Sequence, residues 1–321
     1  MILKSAIDVA RLIGPEAKRT PDMESLWAWI QKEDAKFPNP ETLSIEEQRR
    51  LVVKINERWN VDQPELAETR RVEIPGPAGP IPCEWMAPKA VRAGAILYIH
   101  GGGWAMCNLD THRRLARLLA VRSGFSVLSV DYRLAPEHPY PAGLKDCIAA
   151  WRWLAANQKG PLLSAGDSAG ANLALALALH EIQSNRPAPD GLLCFYGGYA
   201  TDFESPSYLR FAEGYGLTKA RMQQYWDWYA PAEARADPLA VPAEASEAML
   251  AKLPPLFLNA ASLDVLLSDT LTLAKRLEAA EADYELVIHE GVHHGFMMFT
   301  PRLDEANQAV EKAAAFARRF G

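Results

Sequence analysis

A five-residue turn between two apolar segments constrains the fold of this chain more than any other feature. The run Leu162–Ala165 predicts a buried strand, and the Ala- and Leu-rich run Ala171–Leu179 predicts a helix. Between them lies GDSAG at 166–170, which fits the G-x-S-x-G pattern of a serine held on a sharp strand-to-helix turn. Glycine at both ends is expected where a Cβ would collide with neighbouring backbone. The pattern predicts that Ser168 is a nucleophile; an ordinary glycine-rich turn is the alternative.

Composition and charge exclude several classes of protein. With 321 residues, 49% of them hydrophobic, the chain can bury a large core, and a single α/β unit of this length is common. The net charge of −6 argues against nucleic acid and anionic membrane surfaces as partners. The N-terminus lacks an apolar stretch of signal-peptide length, and no run approaches the roughly 20 apolar residues of a membrane helix. We therefore expect a cytoplasmic protein without a membrane span.

The cysteines give no sign of a disulfide framework or a metal site. None belongs to a C-x-x-C pair, and none has a cysteine or histidine at metal-ligand spacing. We expect all four to be free thiols in a reducing compartment: Cys83, Cys107, Cys147 and Cys194.

Most of the chain alternates between short apolar runs and longer segments with helical spacing. The segments Arg70–Ile74 and Ile81–Met86 predict an antiparallel hairpin around a turn rich in Pro and Gly. The alternation that follows predicts a mostly parallel sheet with helices on both faces. Its predicted strands are Ala95–Ile99, Phe125–Val130, Leu162–Ala165, Leu192–Tyr196, Leu256–Ala260 and Tyr284–His289. Its predicted helices are Thr111–Arg122, Ala142–Ala156, Ala171–Leu179, Asp269–Ala280 and Leu303–Arg319.

Two segments do not fit this alternation. Residues 1–60 carry apolar side chains at helical spacing, with a Pro-containing break at 36–42. Residues 201–250 separate two predicted strands and are rich in aromatic side chains from Phe203 to Tyr229. An insertion of this length is more often a functional cover than a structureless loop. We expect 1–60 and 201–250 to form a helical cap on an α/β domain made of 61–200 and 251–321.

A serine nucleophile needs a base, and the base needs an acid that orients it. In this type of fold both follow the serine, acid before histidine, just beyond the C-terminal ends of strands. Asp264 and His294 meet these conditions. Asp269 is the competing acid, but it lies at a predicted helix start, where an N-cap is the simpler interpretation. His293 is interpreted as a polar loop residue, because two consecutive side chains cannot both point at Ser168.

A glycine run provides candidate donors for the oxyanion that the serine would generate. His100-Gly101-Gly102-Gly103-Trp104 directly follows a predicted strand, and its glycines leave backbone N–H groups uncovered. This is the HGGG-type loop that acts together with the N–H of the residue after the nucleophile. The histidine of the loop is predicted to be structural. The remaining histidines are predicted to be surface or packing residues: His112, His138, His180 and His289.

Five motifs in order resemble the hormone-sensitive-lipase family of α/β-hydrolase esterases. They are HGGGW at 100–104, DYRLAPE at 131–137, GDSAG at 166–170, DPL at 237–239 and HGF at 294–296. The resemblance extends from about Gly94 to the C-terminus. It implies the α/β-hydrolase fold with a helical cap, short-chain acyl esters as substrates, no metal or organic cofactor, and a homodimer joined near the last strand. It also implies a role for each matching residue: Ser168, Asp264 and His294 as the triad, and Gly102, Gly103 and Ala169 as the oxyanion hole.

The predicted function is therefore a serine carboxylesterase that acts on a small-molecule ester. Amide, lactone or thioester cleavage by the same triad remains an alternative, and so does a binding protein on the same fold. Relatives of the family that act as hormone receptors have lost a triad member, whereas this chain retains all three. One departure concerns the substrate pocket. The family has Tyr-Pro after the strand at 192–196, and this chain has Tyr196-Gly197-Gly198-Tyr199.

Overall fold

The computed structural model describes residues 8–321. Within them, eight strands form one sheet in the order β1-β2-β4-β3-β5-β6-β7-β8. The pairs β1·β2 and β2·β4 are antiparallel, and every other neighbouring pair is parallel. The strands are β1 Glu68–Gly76, β2 Gly79–Ala87, β3 Ala95–Ile99, β4 Ser126–Val130, β5 Leu162–Asp167, β6 Gly191–Phe195, β7 Leu256–Leu263 and β8 Tyr284–His293. The mostly parallel sheet predicted from the sequence is confirmed.

Helices cover both faces of this sheet. Apolar residues of α4 and α11 pack on one face, and those of α5, α6 and α10 pack on the other. The helices are α1 Val9–Ile13, α2 Pro21–Asp34, α3 Ile45–Asn56, α4 Leu109–Ser123, α5 Ala142–Asn157, α6 Ala169–Gln183, α7 Pro206–Arg210, α8 Lys219–Tyr229, α9 Glu247–Leu250, α10 Leu267–Ala279 and α11 Asp304–Ala317. No helix of the described part of the chain is long and apolar enough to cross a membrane.

The strands and the helix at the centre of the fold consist almost entirely of apolar residues. All residues of β3 and β4 are buried, as expected for parallel strands covered on both faces. The Ala- and Leu-rich helix α6 is buried from Ala169 to Leu179, because an apolar surface all round requires neighbours all round. Helix α4 begins at a capping box between Asn108 and Thr111 and ends at Gly124, which has a φ of 80°.

Two strands extend further than their sequence patterns indicated. β7 continues to Leu263 and β8 to His293, because their parallel pairing resumes after an irregularity in register between Ala261 and Leu263. The predicted ends were Ala260 and His289. As a result, Asp264 and His294 each follow directly on the last residue of a strand.

The segments 8–60 and 201–250 contribute helices outside this alternation. Helices α1 to α3 precede the sheet, and α7 to α9 lie between β6 and β7. Met23, Leu26 and Ile30 of α2 are buried in the same apolar cluster as α4 and α11. Helix α2 is therefore anchored to the α/β core as well as to the site described below. The first seven residues of the predicted cap segment lie outside the described residues.

Candidate active site

Ser168 occupies a strained backbone position between β5 and α6. Its φ of 54° and ψ of −120° are rare for a residue with a side chain. A Cβ at Gly170 would lie 2.0 Å from the carbonyl oxygen of Ile99, and one at Gly166 would lie 2.3 Å from the carbonyl oxygen of Gly170. Only glycine fits at either place, so the two glycines of the motif permit the tight turn that holds the serine at the N-terminus of α6.

Three side chains far apart in sequence meet at this turn. Nε2 of His294 lies 2.9 Å from Oγ of Ser168, and Nδ1 of His294 lies 2.7 Å from Oδ2 of Asp264. The Asp264 carboxylate is buried and also accepts the backbone N–H of Leu266 at 3.0 Å. A carboxylate at Nδ1 requires the proton on that nitrogen, so the lone pair of Nε2 faces the serine hydroxyl. Gly295, with a φ of 72°, turns the chain directly after His294.

Asp269, the competing acid, has a different position and role. It lies inside α10 and accepts the backbone N–H groups of Tyr199 and Ala200 at 3.0 Å each. The interpretation of Asp269 as a helix N-cap is wrong, because α10 begins at Leu267 and its N-cap is Leu266. Burial raises the pKa of Asp269 well above its ordinary range. This carboxyl group holds the loop after β6 and does not contact His294.

His293 is buried, whereas the sequence suggested a polar loop residue. Its Nε2 accepts a 2.7 Å hydrogen bond from Nε of Arg19, and its ring meets the edges of Trp27 and Tyr215 with centroids 4.7 and 5.7 Å away. Burial, with the nearby Arg19 charge, lowers the pKa of His293 to about 3. His293 is therefore an uncharged side chain that contacts both segments, 8–60 and 201–250. It directly precedes the histidine that bonds Ser168.

The glycine loop runs beside the serine turn. Gly102 and Gly103 have φ values of 111° and 58°, which residues with a Cβ rarely adopt. The loop is close to the serine, because a Cβ at Gly101 would lie 3.1 Å from Cβ of Ser168. Ala169, the third predicted donor, is the buried first residue of α6.

Two buried side chains, His100 and Asp167, hold the glycine loop through hydrogen bonds to Gly101. Nδ1 of His100 donates to the carbonyl oxygen of Gly101 at 2.8 Å, and the N–H of Gly101 donates to Oδ1 of Asp167 at 3.0 Å. Oδ2 of Asp167 lies 3.3 Å from Nε2 of His112. Of the two alternatives for His112, surface or packing, the structure excludes the surface: the residue is buried, and it also contacts the Asp167 carboxylate. Its signal was a histidine on the face of α4 that carries Leu115, an otherwise apolar face.

Aromatic side chains of segment 201–250 cover the glycine loop. A Cβ at Gly103 would lie 2.3 Å from the ring of Tyr225, which shows how closely α8 approaches. Trp104 stacks on Tyr229, with ring centroids 4.3 Å apart and planes 6° from parallel, and contacts Trp226 at 4.5 Å. The covering side chains and the candidate oxyanion donors thus belong to one packed unit.

The segment Tyr196–Tyr199, where the sequence departs from the family pattern, packs against the same site. Tyr196, with a φ of 37°, meets His294 edge to face at 5.2 Å and so supports the imidazole. A Cβ at Gly197 would lie 2.3 Å from Cζ of Tyr199, so this position excludes a larger residue. A Cβ at Gly198 would make ordinary contacts with Trp104 at 3.5 Å and Met222 at 3.6 Å. The neighbours of Gly198 therefore leave no void at this position.

The chemistry of the site lies in these side chains and backbone donors. The four cysteines are free thiols, and burial raises the pKa of Cys107 to about 12. Among residues 8–321, no group of three His, Cys, Asp or Glu side chains is arranged to hold a metal ion. A strained serine, an imidazole oriented by a buried carboxylate, and a glycine loop beside them define a hydrolase of the α/β type.

Comparison with known proteins agrees with this class. Residues 96–298 match the family described by the alpha/beta hydrolase fold. Carboxylesterase NlhH of Mycobacterium tuberculosis is 34% identical over 249 residues, which cover 74% of this chain and 78% of that protein. An ester hydrolase from the metagenome of Lake Arreo, solved with a derivative of bipyridine phosphonate, is 32% identical with a TM-score of 0.88, over 94% of this chain and 98% of that one.

A hyperthermophilic esterase from the archaeon Pyrobaculum calidifontis is 29% identical with a TM-score of 0.87, again over 94% of this chain and 98% of that one. The chain belongs to the hormone-sensitive-lipase-like family of α/β hydrolases, as the resemblance of its motifs indicated. It is a carboxylic ester hydrolase.

Proposed function

We propose that the protein hydrolyses short-chain acyl esters through a triad of Ser168, His294 and Asp264 and an acyl-enzyme intermediate. The observation that carries this proposal is the pair of hydrogen bonds at His294, 2.9 Å to the serine Oγ and 2.7 Å to the aspartate Oδ2. Nucleophile, base and orienting acid are thereby in contact in the order that the chemistry requires.

The reaction proceeds in two halves. Oγ of Ser168 attacks the ester carbonyl while Nε2 of His294 takes its proton, and Asp264 stabilises the resulting imidazolium. The C–O bond to the alcohol then breaks, and His294 gives its proton to the departing oxygen. Water, deprotonated by His294, attacks the acyl-enzyme; the bond to Oγ breaks, and the proton returns to Ser168.

The negative charge that develops on the carbonyl oxygen needs donors that are already in place. We assign them to the N–H groups of Gly102, Gly103 and Ala169. The positive φ of both glycines and the position of Ala169 in the first turn of α6 support this assignment. Burial of the loop under aromatic rings strengthens such hydrogen bonds, because the local dielectric constant is low.

The restriction to short acyl groups rests on the cap, formed in this proposal by 1–60 and 201–250 over the domain of 61–200 and 251–321. Tyr225 packs on Gly103, and Trp104 is held by Trp226 and Tyr229. We expect large rings that close on this loop to exclude a long acyl chain. A matched set of esters, amides and thioesters with the same acyl group tests the reaction class; ester cleavage should be fastest.

The experiment that tests the triad is active-site labelling. A serine-directed organophosphonate should add once, at Ser168, and abolish esterase activity, and Ser168→Ala should prevent both. Ser164→Ala is the matched control: this buried serine lies on β5, the strand that precedes the Ser168 turn, with an unpartnered Oγ, and its loss should change neither labelling nor activity. A label on another residue, or an active Ser168→Ala variant, would refute the proposal.

We also propose that the protein forms a homodimer through the free edge of β8. Beyond β8 no strand of residues 8–321 continues the sheet, and unpaired backbone groups of an edge strand are a ready site for pairing. The backbone N–H of Thr20 already donates to the carbonyl oxygen of Gly291, which leaves Tyr284–His289 for this contact. Light scattering of the purified protein should give twice the chain mass; a monomer would contradict the proposal.

Location in the cytoplasm stays a prediction from the sequence.

A further inference from the structure

Arg49 on helix α3 binds two backbone carbonyl groups and a carboxylate beside the glycine loop. Its Nε donates to the carbonyl oxygen of Ala105, and its Nη2 donates to that of Ala135, each at 2.8 Å. Nη1 and Nη2 also donate to the two carboxylate oxygens of Glu137 at 2.9 and 2.7 Å. The planar guanidinium thus connects α3 with two separate loops.

The candidate oxyanion donors lie at the start of a tight turn. The carbonyl oxygen of Gly102 accepts the N–H of Ala105 at 3.1 Å and the N–H of Met106 at 2.8 Å. The peptide between Gly102 and Gly103 is trans, so the N–H of Gly103 points opposite to that carbonyl. The orientation of the Gly103 N–H is therefore tied to the position of Ala105 and Met106.

The end of this turn is attached to the loop at 131–137. The carbonyl oxygen of Trp104 accepts the N–H of Ala135 at 2.9 Å. Arg49 bridges the same two segments, because it binds the carbonyl groups of both Ala105 and Ala135. The Glu137 carboxylate holds the guanidinium in that position. We expect loss of the bridge to shift residues 104–106 and, with them, the peptide that carries the Gly103 N–H.

The aromatic side chains of α8 contact the same turn in a different way. Trp104 stacks on Tyr229, and Tyr225 packs on Gly103. Apolar packing of this kind is non-directional. A hydrogen bond to a carbonyl oxygen, in contrast, constrains the orientation of the peptide that carries it. Arg49 therefore supplies an orientation that ring packing does not.

We infer that Arg49 positions the Gly103 N–H for the oxyanion by bridging the turn at 102–106 to the loop at 131–137. Arg49 is a positioning residue, because its contacts are to backbone and to Glu137 and not to the reacting atoms. This inference rests on the oxyanion hole of the proposed function.

Replacement of Arg49 should affect kcat more than KM. Arg49→Ala should lower kcat on a short-chain ester by about 10- to 100-fold with KM within about threefold, because a misdirected donor weakens stabilisation of the transition state. Arg50→Ala is the matched control: the next residue on α3 is exposed, bonds Glu46 of the same helix at 2.6 Å, and should keep kcat within about twofold. Parental kcat in Arg49→Ala would overturn the inference.

A pair of ketone inhibitors separates donor placement from a general loss of structure. Oγ of Ser168 adds to the carbonyl carbon of a trifluoromethyl ketone, its proton passes to His294, and the carbonyl oxygen becomes an anion. The matched methyl ketone is far less electrophilic and serves as the ground-state ligand. The parent protein should bind the trifluoromethyl ketone at least about 100-fold more tightly than the methyl ketone.

Arg49→Ala should reduce this preference by about the factor by which it lowers kcat, with the affinity for the methyl ketone within about threefold of the parent value. An unchanged preference, or an equal loss of affinity for both ketones, would overturn the inference.

Arg49→Lys covers the case in which Arg49→Ala folds poorly, as judged by chemical denaturation. Lysine keeps the charge and the apolar stem, but its single ammonium lacks the fork that reaches acceptors on three residues. Arg49→Lys should lower kcat and the ketone preference together, each by about 3- to 10-fold. Parental values of both in folded Arg49→Lys would overturn the inference.

The inference and the proposed function fail in distinguishable ways. If the parent protein bound both ketones equally, the proposed oxyanion hole would be refuted, and the role of Arg49 with it. If the parent preferred the trifluoromethyl ketone and the Arg49 variants kept that preference in full, only the role of Arg49 would be refuted.

Discussion

Nε of Arg19 donates a 2.7 Å hydrogen bond to Nε2 of His293, the residue directly before the histidine that bonds Ser168. The same guanidinium donates to the carbonyl oxygen of Gly214 at 2.5 Å and lies 5.1 Å from the ring centre of Tyr215. One side chain from the N-terminal segment thus connects the insertion at 201–250 to the end of β8, beside His294. Substrate access and the position of the base are expected to depend on each other through this contact.

The two neighbouring histidines should behave differently when each is replaced by alanine. His294→Ala should lower kcat on a short-chain ester by about 10⁴-fold or more, because the base is lost. His293→Ala should lower it by less than about 10-fold, because His293 contacts Arg19, Trp27 and Tyr215 and not the serine. Because the pKa of His293 is about 3, another group must cause the acid limb of the parent pH profile. His293→Ala should therefore retain that limb. An inactive, folded His293→Ala beside an active His294→Ala would reverse the assignment.

Stability in acid should depend on His293. Its folded pKa of about 3 lies below the ordinary value of about 6.5, so below that pH the unfolded chain binds a proton that the folded chain does not. The free energy of unfolding therefore falls as the pH falls from about 6.5 toward 3. From pH 6.5 to 4 the contribution is roughly 3 kcal/mol. His293→Gln should show a shallower decline in chemical denaturation, whereas replacement of the exposed His138 by Gln should leave the slope unchanged. Parallel curves for parent and His293→Gln would contradict this.

The two aspartates provide a matched pair for the acid of the triad. Asp264→Asn should lower kcat by about 10³- to 10⁴-fold, because an amide stabilises neither the imidazolium nor the required tautomer. Asp269→Asn should keep kcat within about threefold, because the amide oxygen can accept the N–H groups of Tyr199 and Ala200. Asp269→Ala should instead reduce the free energy of unfolding by about 1–3 kcal/mol, because those donors lose their partner. A dead Asp269→Asn with an active Asp264→Asn would assign the acid to Asp269.

Acyl-chain preference should respond to Tyr225. In the parent protein kcat/KM should fall steeply from butyryl to dodecanoyl esters, because aromatic side chains close over the oxyanion loop. Tyr225→Ala removes the ring that packs on Gly103 and should raise the octanoyl-to-acetyl ratio of kcat/KM by about 10-fold, the lower range for a change in apolar pocket volume. Tyr284 lies at the start of β8, at the opposite end of this strand from His294. Tyr284→Ala should therefore leave the ratio unchanged. Equal rates on dodecanoyl and acetyl esters in the parent would contradict the cap proposal.

Most of the fold could be read from short stretches of sequence. The strand Ala95–Ile99 was predicted with its observed bounds, and the helix at 142 with its observed start. Apolar periodicity, glycine positions and helix caps depend on residues a few positions apart. A short stretch of sequence is therefore enough to predict the helices and strands that they determine. The ends of β7 and β8 were missed because they depend on each other: the register between the two strands, not either sequence alone, sets where pairing stops.

The sequence by itself determined the serine turn, the glycine loop and the α/β class, because backbone sterics allow few residues at 166, 168 and 170. It offered two candidates for the acid and two for the base. Only the tertiary structure shows which of them meet, since it brings His294 to Ser168 across 126 residues and turns His293 toward Arg19 across 274. It also revealed Asp269 as a support for the loop after β6 and His112 as the partner of Asp167. Such choices depend on which strand ends and helix faces meet in space, and that information is not contained in any local stretch of sequence.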